Sequence, residues 1–195
     1  MVIVRSSVQG EKLSSDTVSA DTFVMEFREF VEDNGYTENN IYNADESGLN
    51  WRSLPRKPLV CRDENTAPGR KVNKDRVTAM FGANASGSNK IPVLIIGKYK
   101  KPRCFKNITT LPVCYKAQSS AWMDRSTFLD WYTNEFIPIV KAKKIKTNDH
   151  GKVLLLLDNA PSHPSVDVLN AVDENFAVIT RSRGTCRRFC KGIKS

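Results

Sequence analysis

Two aspartates stand where a carboxylate is costly. Asp158 follows four consecutive leucines, Leu154 to Leu157, in the stretch KVLLLLDNAPSHPS. Nothing in that run alternates, so it reads as a strand buried on both faces. A carboxylate at its end must be paired, hydrogen-bonded or bound to a cation. Asp45 has a similar place in NIYNADESG, where a short strand is expected from Ile41 to Asp45, ended by Ser47-Gly48. Ligand sites of open α/β sheets lie beyond the carboxyl ends of the strands. If these two strands are neighbours, their carboxylates converge at one sheet edge and repel. A divalent cation relieves that repulsion, and Mg²⁺ prefers one or two carboxylates together with waters and phosphate oxygens. Such an ion could activate water and stabilise a leaving oxygen in phosphodiester chemistry. A plainer reading stands beside this one: DESG makes a good turn by itself, and Asp158 before Asn-Ala-Pro-Ser could simply start another. Aspartate-nucleophile phosphatases also put an Asp behind a buried strand, but they need a second Asp two residues on, where Ala160 stands.

The elements that must position these acids are legible from periodicity. Phe23, Val24, Phe27, Phe30 and Val31 mark one face of a helix starting near Asp21, with Ser19 or Asp21 as cap and Gly35 at its end. The runs RVTAMFGANA and KIPVLIIGK flank the turn Ser86–Asn89 and predict a hairpin, with Pro92 tolerated near a strand start. LNWRSLPRKPLV is too rich in proline for a helix and reads as extended or turn structure. A long connection with strand-like pieces leads to a second helix from Asp124, which Pro138 should kink or shorten. A third helix is expected from Pro164 to about Glu174, capped by Ser162 or His163, and FAVIT reads as a last short strand. Helical crossovers between strands imply an α/β class with a mixed sheet.

The chain has 195 residues, enough for one domain with a real core. No apolar run approaches the ~20 residues of a bilayer span, and the amino terminus lacks the apolar core of a secretory signal. Five cysteines, Cys61, Cys104, Cys114, Cys186 and Cys190, with only His150 and His163, form no cluster of zinc-ligand spacing. They read as reduced thiols. The net charge is +9, and the basic residues come in bursts: APGRKVNKDR, GKYKKPRCFK, KAKKIK and the last fifteen residues, which carry six. Nucleic acid is the natural partner of such bursts, although solvated loops are often basic as well.

Several long segments, taken in order, go further. IYNADESGLNW, ENTAPGRKVNKDRVT, ANASGSNKIPVLIIGKYKKPRCFKN, LPVCYKAQSSAWM and LLLLDNAPSHPS closely resemble the DDE-type transposase domain of the pogo/Tigger group, to which jerky and centromere protein B also belong. The resemblance covers residues 20 to 179 and implies an RNase H-like fold: a mixed sheet flanked by helices, whose first strand carries one acid and whose fourth carries the second. It matches Asp45 and Asp158 to the first and second catalytic, metal-holding aspartates, with Mg²⁺ as the cofactor. It implies a nuclear protein with DNA as partner and makes Arg70, Lys71, Lys98, Lys100, Lys101 and Arg103 candidate DNA contacts; exposed loop charge is the competing reading. Asn159 could bond near the metal, and His163 reads as packing or capping rather than as a general base.

The resemblance also has breaks. Ser47 stands where the group commonly has threonine. After Ile179 the family continues to a helix carrying a third acid, whereas this chain reads TRSRGTCRRFCKGIKS with no Asp or Glu beyond Glu174. Residues 1–20 are expected to be a linker, 21–179 a partial DDE endonuclease domain and 180–195 a non-homologous basic tail, so that the whole is a fragment, incomplete at its carboxyl end. With two of three acids, Mg²⁺ should bind weakly and catalysis should be absent. The uncovered sheet should expose Leu154 to Leu157 and call for a protein partner. The alternatives are a residual Mg²⁺-dependent nuclease, with Glu174 a poorly placed substitute acid, and a decayed reading frame without function.

Overall fold

Alternating β-branched and small residues on either side of SGSN fold as expected into a hairpin. The computed structural model, which describes residues 17–51 and 75–181, pairs β2 (Val77–Asn84) antiparallel with β3 (Lys90–Gly97). Gly87 takes the left-handed conformation the turn requires (φ 69°), and the buried Asn84 side chain accepts from the Asn89 N–H at 2.8 Å. β1 (Ile41–Leu49) runs antiparallel to β2 along its whole length, from Tyr42 opposite Asn84 to Leu49 opposite Val77. DESG is therefore extended strand, not a turn, and β1 continues four residues beyond the expected end at Asp45. Pairing with β2 supplies backbone partners that outweigh the local turn preference of Ser-Gly.

On its other side β1 pairs in parallel with β5 (Val153–Asp158), and β5 pairs in parallel with β6 (Phe176–Arg181). A short β4 (Cys114–Ala117) adds in parallel to β3, giving the six-stranded order β4-β3-β2-β1-β5-β6. The sheet is mixed, as expected. The strand carrying Asp158 is the fifth in chain order rather than the fourth, because β4 arises within the long connection and extends the edge.

The crossover from β4 to β5 is helical. Asp124 caps α2 (Arg125–Trp131) by accepting from the Thr127 N–H at 2.8 Å. The α-helix that starts after Asp124 is short, as expected of a stretch holding Pro138, and ends at Trp131. A wide π-helical turn at Tyr132–Phe136 precedes α3 (Ile137–Thr147) and places Pro138 in that helix's first turn, where its missing N–H costs little. Phe128, Trp131, Tyr132 and Phe136 from this crossover bury against Tyr42, Ala44, Leu155 and Leu157 in the main core.

The opposite face is covered by α1 (Thr17–Asp33), which starts before Asp21, so that neither Ser19 nor Asp21 is its cap. Phe27, with Phe30 and Val31 beside it, packs on Ile41, Leu154 and Leu156. Consequently Leu154 to Leu157 are buried, the most accessible of them 9% exposed, and the expected bare patch is not there. At ~1.5–3 kcal/mol per fully buried leucine, the four are a large share of what holds the sheet together. The third helix, α4 (Val166–Asn170), is shorter than expected and begins after Ser165 rather than at Pro164. Glu174 lies exposed in the turn before β6. Among the described residues no helix is long and apolar enough to cross a membrane.

Candidate active site

The ladder between β1 and β5 stops early. Its register runs Ile41–Leu154, Tyr42–Leu155, Asn43–Leu156, and there the pairing ends although both strands continue. Carrying the register on by two residues sets Asp45 abreast of Asp158. The two aspartates therefore flank the point where neighbouring parallel strands part, which is where an α/β sheet opens a crevice. Alternation assigns Asp45 to the α1 face, with Ile41, whereas the carboxylate of Asp158, the last residue of β5, lies 3.4 Å from His163 on the other side. Their proximity has an electrostatic signature. Burial raises the Asp45 pKa, the bond its Oδ1 accepts from the Glu46 N–H at 2.9 Å opposes this, and the negative charge of Asp158 raises it again.

One residue further along β1, Glu46 projects to the opposite face and meets a residue that sequence reasoning treated as packing. His163, its side chain 2% exposed, presents Nε2 to Glu46 Oε1 at 2.9 Å and Nδ1 to the Asp158 carbonyl at 3.0 Å. Its Nδ1 also lies 3.4 Å from Asp158 Oδ1. The ring rests against Phe128 with centroids 4.5 Å apart. Burial alone would lower the His163 pKa, but Glu46 and Asp158 outweigh it and raise it, so the imidazolium is favoured. Glu46, Asp158 and His163 bring ligand atoms within 4.8 Å of one another. Packing is thus half of the role of His163; it also cross-links β1 to the loop after β5. The signal that could have found Glu46 is its place next to Asp45 on a strand with one face to the core and the other to the cleft.

The comparisons with known proteins point in the same direction. Residues 74–185, more than half of the chain, match the family model of the DDE superfamily endonucleases. The chain belongs to that family. This DDE domain is 41% identical to the human Jerky protein homolog over 164 residues, covering 83% of the chain and 29% of that relative. It is 34% identical to human Tigger transposable element-derived protein 7, covering 83% of the chain and 30% of that protein. The chain thus spans about three tenths of the length of these relatives. Among solved structures, the Mos1 transposase paired-end complex with left transposon end superposes with a TM-score of 0.50 at 14% identity, covering 95% of the chain and 48% of the other. The fold is accordingly RNase H-like, and the DDE domain is transposase-derived and related to Jerky and Tigger.

A divalent cation fits the donor chemistry of this DDE domain. Asp45 and Asp158 offer only oxygen, as a hard cation prefers, and the charge of one raises the pKa of the other, a strain that a cation would relieve. The Glu46–Asp158–His163 group fits less well, because a ligating imidazole nitrogen must be unprotonated and both ring nitrogens of His163 already face oxygen acceptors, Glu46 Oε1 and the Asp158 carbonyl. Asn159 is exposed beside Asp158.

Of the six candidate DNA contacts, Lys98, Lys100, Lys101 and Arg103 are exposed on the connection leaving β3. Arg70 and Lys71 lie outside the described residues, as do most of LNWRSLPRKPLV and Cys61, Cys186 and Cys190. Cys104 and Cys114 are free thiols; burial, with Glu135 nearby, pushes the Cys114 pKa up to about 11, so it is an inert one.

Proposed function

We propose that this DDE domain binds DNA without sequence preference along its basic rim, holds a divalent cation weakly at Asp45 and Asp158, acts in the nucleus and cuts DNA poorly or not at all. The observation that carries the reading is the pair of aspartates flanking the split between β1 and β5. A cation bound there would polarise a phosphate oxygen or an attacking water. The chain's own residues do the rest: Asp45 and Asp158 supply the negative charge, His163 fixes the loop behind Asp158, and exposed Lys98, Lys100, Lys101 and Arg103 attract phosphates. The third acid nearby, Glu46, is engaged by His163, with its carboxylate within 4.8 Å of that of Asp158. Loss of one positioned catalytic group commonly costs several powers of ten in rate. The Tigger relative, by its name, derives from a transposable element, and the Mos1 structure is of a complex with a transposon end, which supports DNA as the partner.

A gel shift at low salt tests the binding: affinity should fall steeply and linearly on a log–log salt plot, and no shift for any DNA would remove the proposal. A second reading, a residual metal-dependent nuclease, is favoured by the closeness of Glu46 to Asp158. It requires plasmid nicking with Mg²⁺ or Mn²⁺ that is lost in both Asp158→Ala and Glu46→Ala. Nicking that survives Asp158→Ala belongs to a contaminant.

A further inference from the structure

The parallel strands β1, β3, β4 and β5 all end at one rim of the sheet, and antiparallel β2 begins there. The acids occupy the β1–β5 part of this rim. Its β2–β3–β4 part, centred on β3 and ~12 Å from the middle of the β1–β5 pair at ~4.7–4.9 Å per strand, is a groove of about 1200 Å³ whose lining the proposed reaction does not use. Three large aromatics stand out into solvent around it: Trp51 (59% exposed), Tyr99 (66%) and Trp122 (55%). Aromatic rings exposed to this extent offer faces on which a flat ligand can stack. The charged lining residues are Arg76, Lys98, Lys101 and Arg103 against one acid, Asp75.

Specific contacts tie the groove walls together. The Arg76 guanidinium lies 3.3 Å from the centre of the Trp122 ring and close to the backbone at Gly48, where an added Cβ would come within 3.8 Å of it. Ala121, beside Trp122, is buried in the left-handed conformation (φ 55°), and its carbonyl accepts from Thr78 Oγ1 at 2.7 Å. The Gln118 N–H donates to the Gly97 carbonyl, tying the same loop to the end of β3. On the other wall the Tyr115 hydroxyl donates to the Tyr99 carbonyl at 2.7 Å, and Phe105 packs edge-on against Tyr115.

We propose that this groove takes unpaired nucleotides, the bases stacking on Trp122 and Tyr99 and the phosphates lying over Lys98, Lys101 and Arg103. Cations alone would suit any phosphate, and aromatics alone any apolar ligand. The two interleaved in a concave site suit single-stranded DNA, whose bases are free to stack, and not a duplex, whose bases are stacked on each other. The inference rests on the DNA-binding reading above and adds a preference for unpaired DNA.

The test compares the full chain's affinity for three probes of equal length at low salt: oligothymidine, an abasic strand with the same phosphates, and a duplex. Trp131 is buried, so quenching of tryptophan emission reports on Trp51 and Trp122. Oligothymidine should bind roughly ten-fold or more tighter than the abasic strand and quench the emission. Trp122→Ala and Tyr99→Ala should each remove most of that preference and leave abasic and duplex affinities unchanged. Tyr99 is exposed enough that its substitution leaves folding intact. The double change Lys98→Ala, Lys101→Ala should weaken all three probes and flatten the salt dependence. Equal affinity for oligothymidine and the abasic strand, or a preference that survives both aromatic substitutions, overturns the proposal while leaving duplex binding standing. Binding to none of the three probes overturns this inference and the DNA-binding reading together.

Discussion

Replacing His163 by phenylalanine should cost about 2–4 kcal/mol of folding free energy, and the cost should depend on Glu46. Phenylalanine keeps a ring against Phe128 but removes the 2.9 Å bond to Glu46 and the 3.0 Å bond to the Asp158 carbonyl. The first is a charge-assisted bond worth ~1.5–3 kcal/mol and the second a neutral-acceptor bond worth ~0.5–1.5 kcal/mol. Glu46 would then sit with its side chain 16% exposed and without its imidazolium, which adds desolvation cost. Glu46→Gln alone should be milder. Urea unfolding of wild type, both single variants and the double variant closes a thermodynamic cycle. A coupling of ~1.5–3 kcal/mol is expected, whereas additivity within ~0.5 kcal/mol would show that the pair does not act together. The pH dependence supplies an independent check. Because the folded-state pKa of His163 lies above its ordinary value of 6.5, its contribution is complete below that value and is lost as pH rises through the raised folded one. Wild-type stability should therefore decline over that alkaline-going window by more than that of His163→Phe. Parallel curves for the two proteins would refute the assignment of the charged form.

Other perturbations read other parts of the fold. Asp124→Ala removes the α2 cap and should cost about 1 kcal/mol by urea titration. Because the Thr127 N–H bond, first among its causes, lowers the Asp124 pKa, the wild-type advantage over this variant should shrink as pH falls below the ordinary carboxylate range. Gly97→Ala would put a Cβ 2.3 Å from the Tyr115 hydroxyl, so it should cost ~1–3 kcal/mol and free Tyr115 from the Tyr99 carbonyl, visible as changed tyrosine exposure. Asp45→Asn removes a charge that faces Asp158 and should stabilise the metal-free protein slightly, by ~0.5 kcal/mol or less given its exposure, measured by urea unfolding. The same change should weaken Mn²⁺ binding by calorimetry, a stability gain paired with a loss at the site.

The sequence by itself determined the parts that are local. The hairpin, the helix starting at Asp124 and the wholly buried LLLL strand follow from patterns within a dozen residues, and the long motifs in order pointed to the family. Tertiary structure decided where local preference and long-range pairing disagree. DESG has turn-forming residues, yet β2 lies alongside and holds it extended, moving Asp45 from the end of a strand to the end of a ladder. Pro138 should kink or shorten the helix from Asp124, and that helix gives way to a π-helical turn that leaves Pro138 in the first turn of the next. The burial of Leu154 and Leu156 depends on α1, over a hundred residues away in the chain. The contact of Glu46 with His163 spans 117 positions, and no periodicity encodes such a distance. Sequence pattern reports which face of an element is apolar; which element covers that face, and which polar groups meet at its edge, is settled only when the strands choose their neighbours.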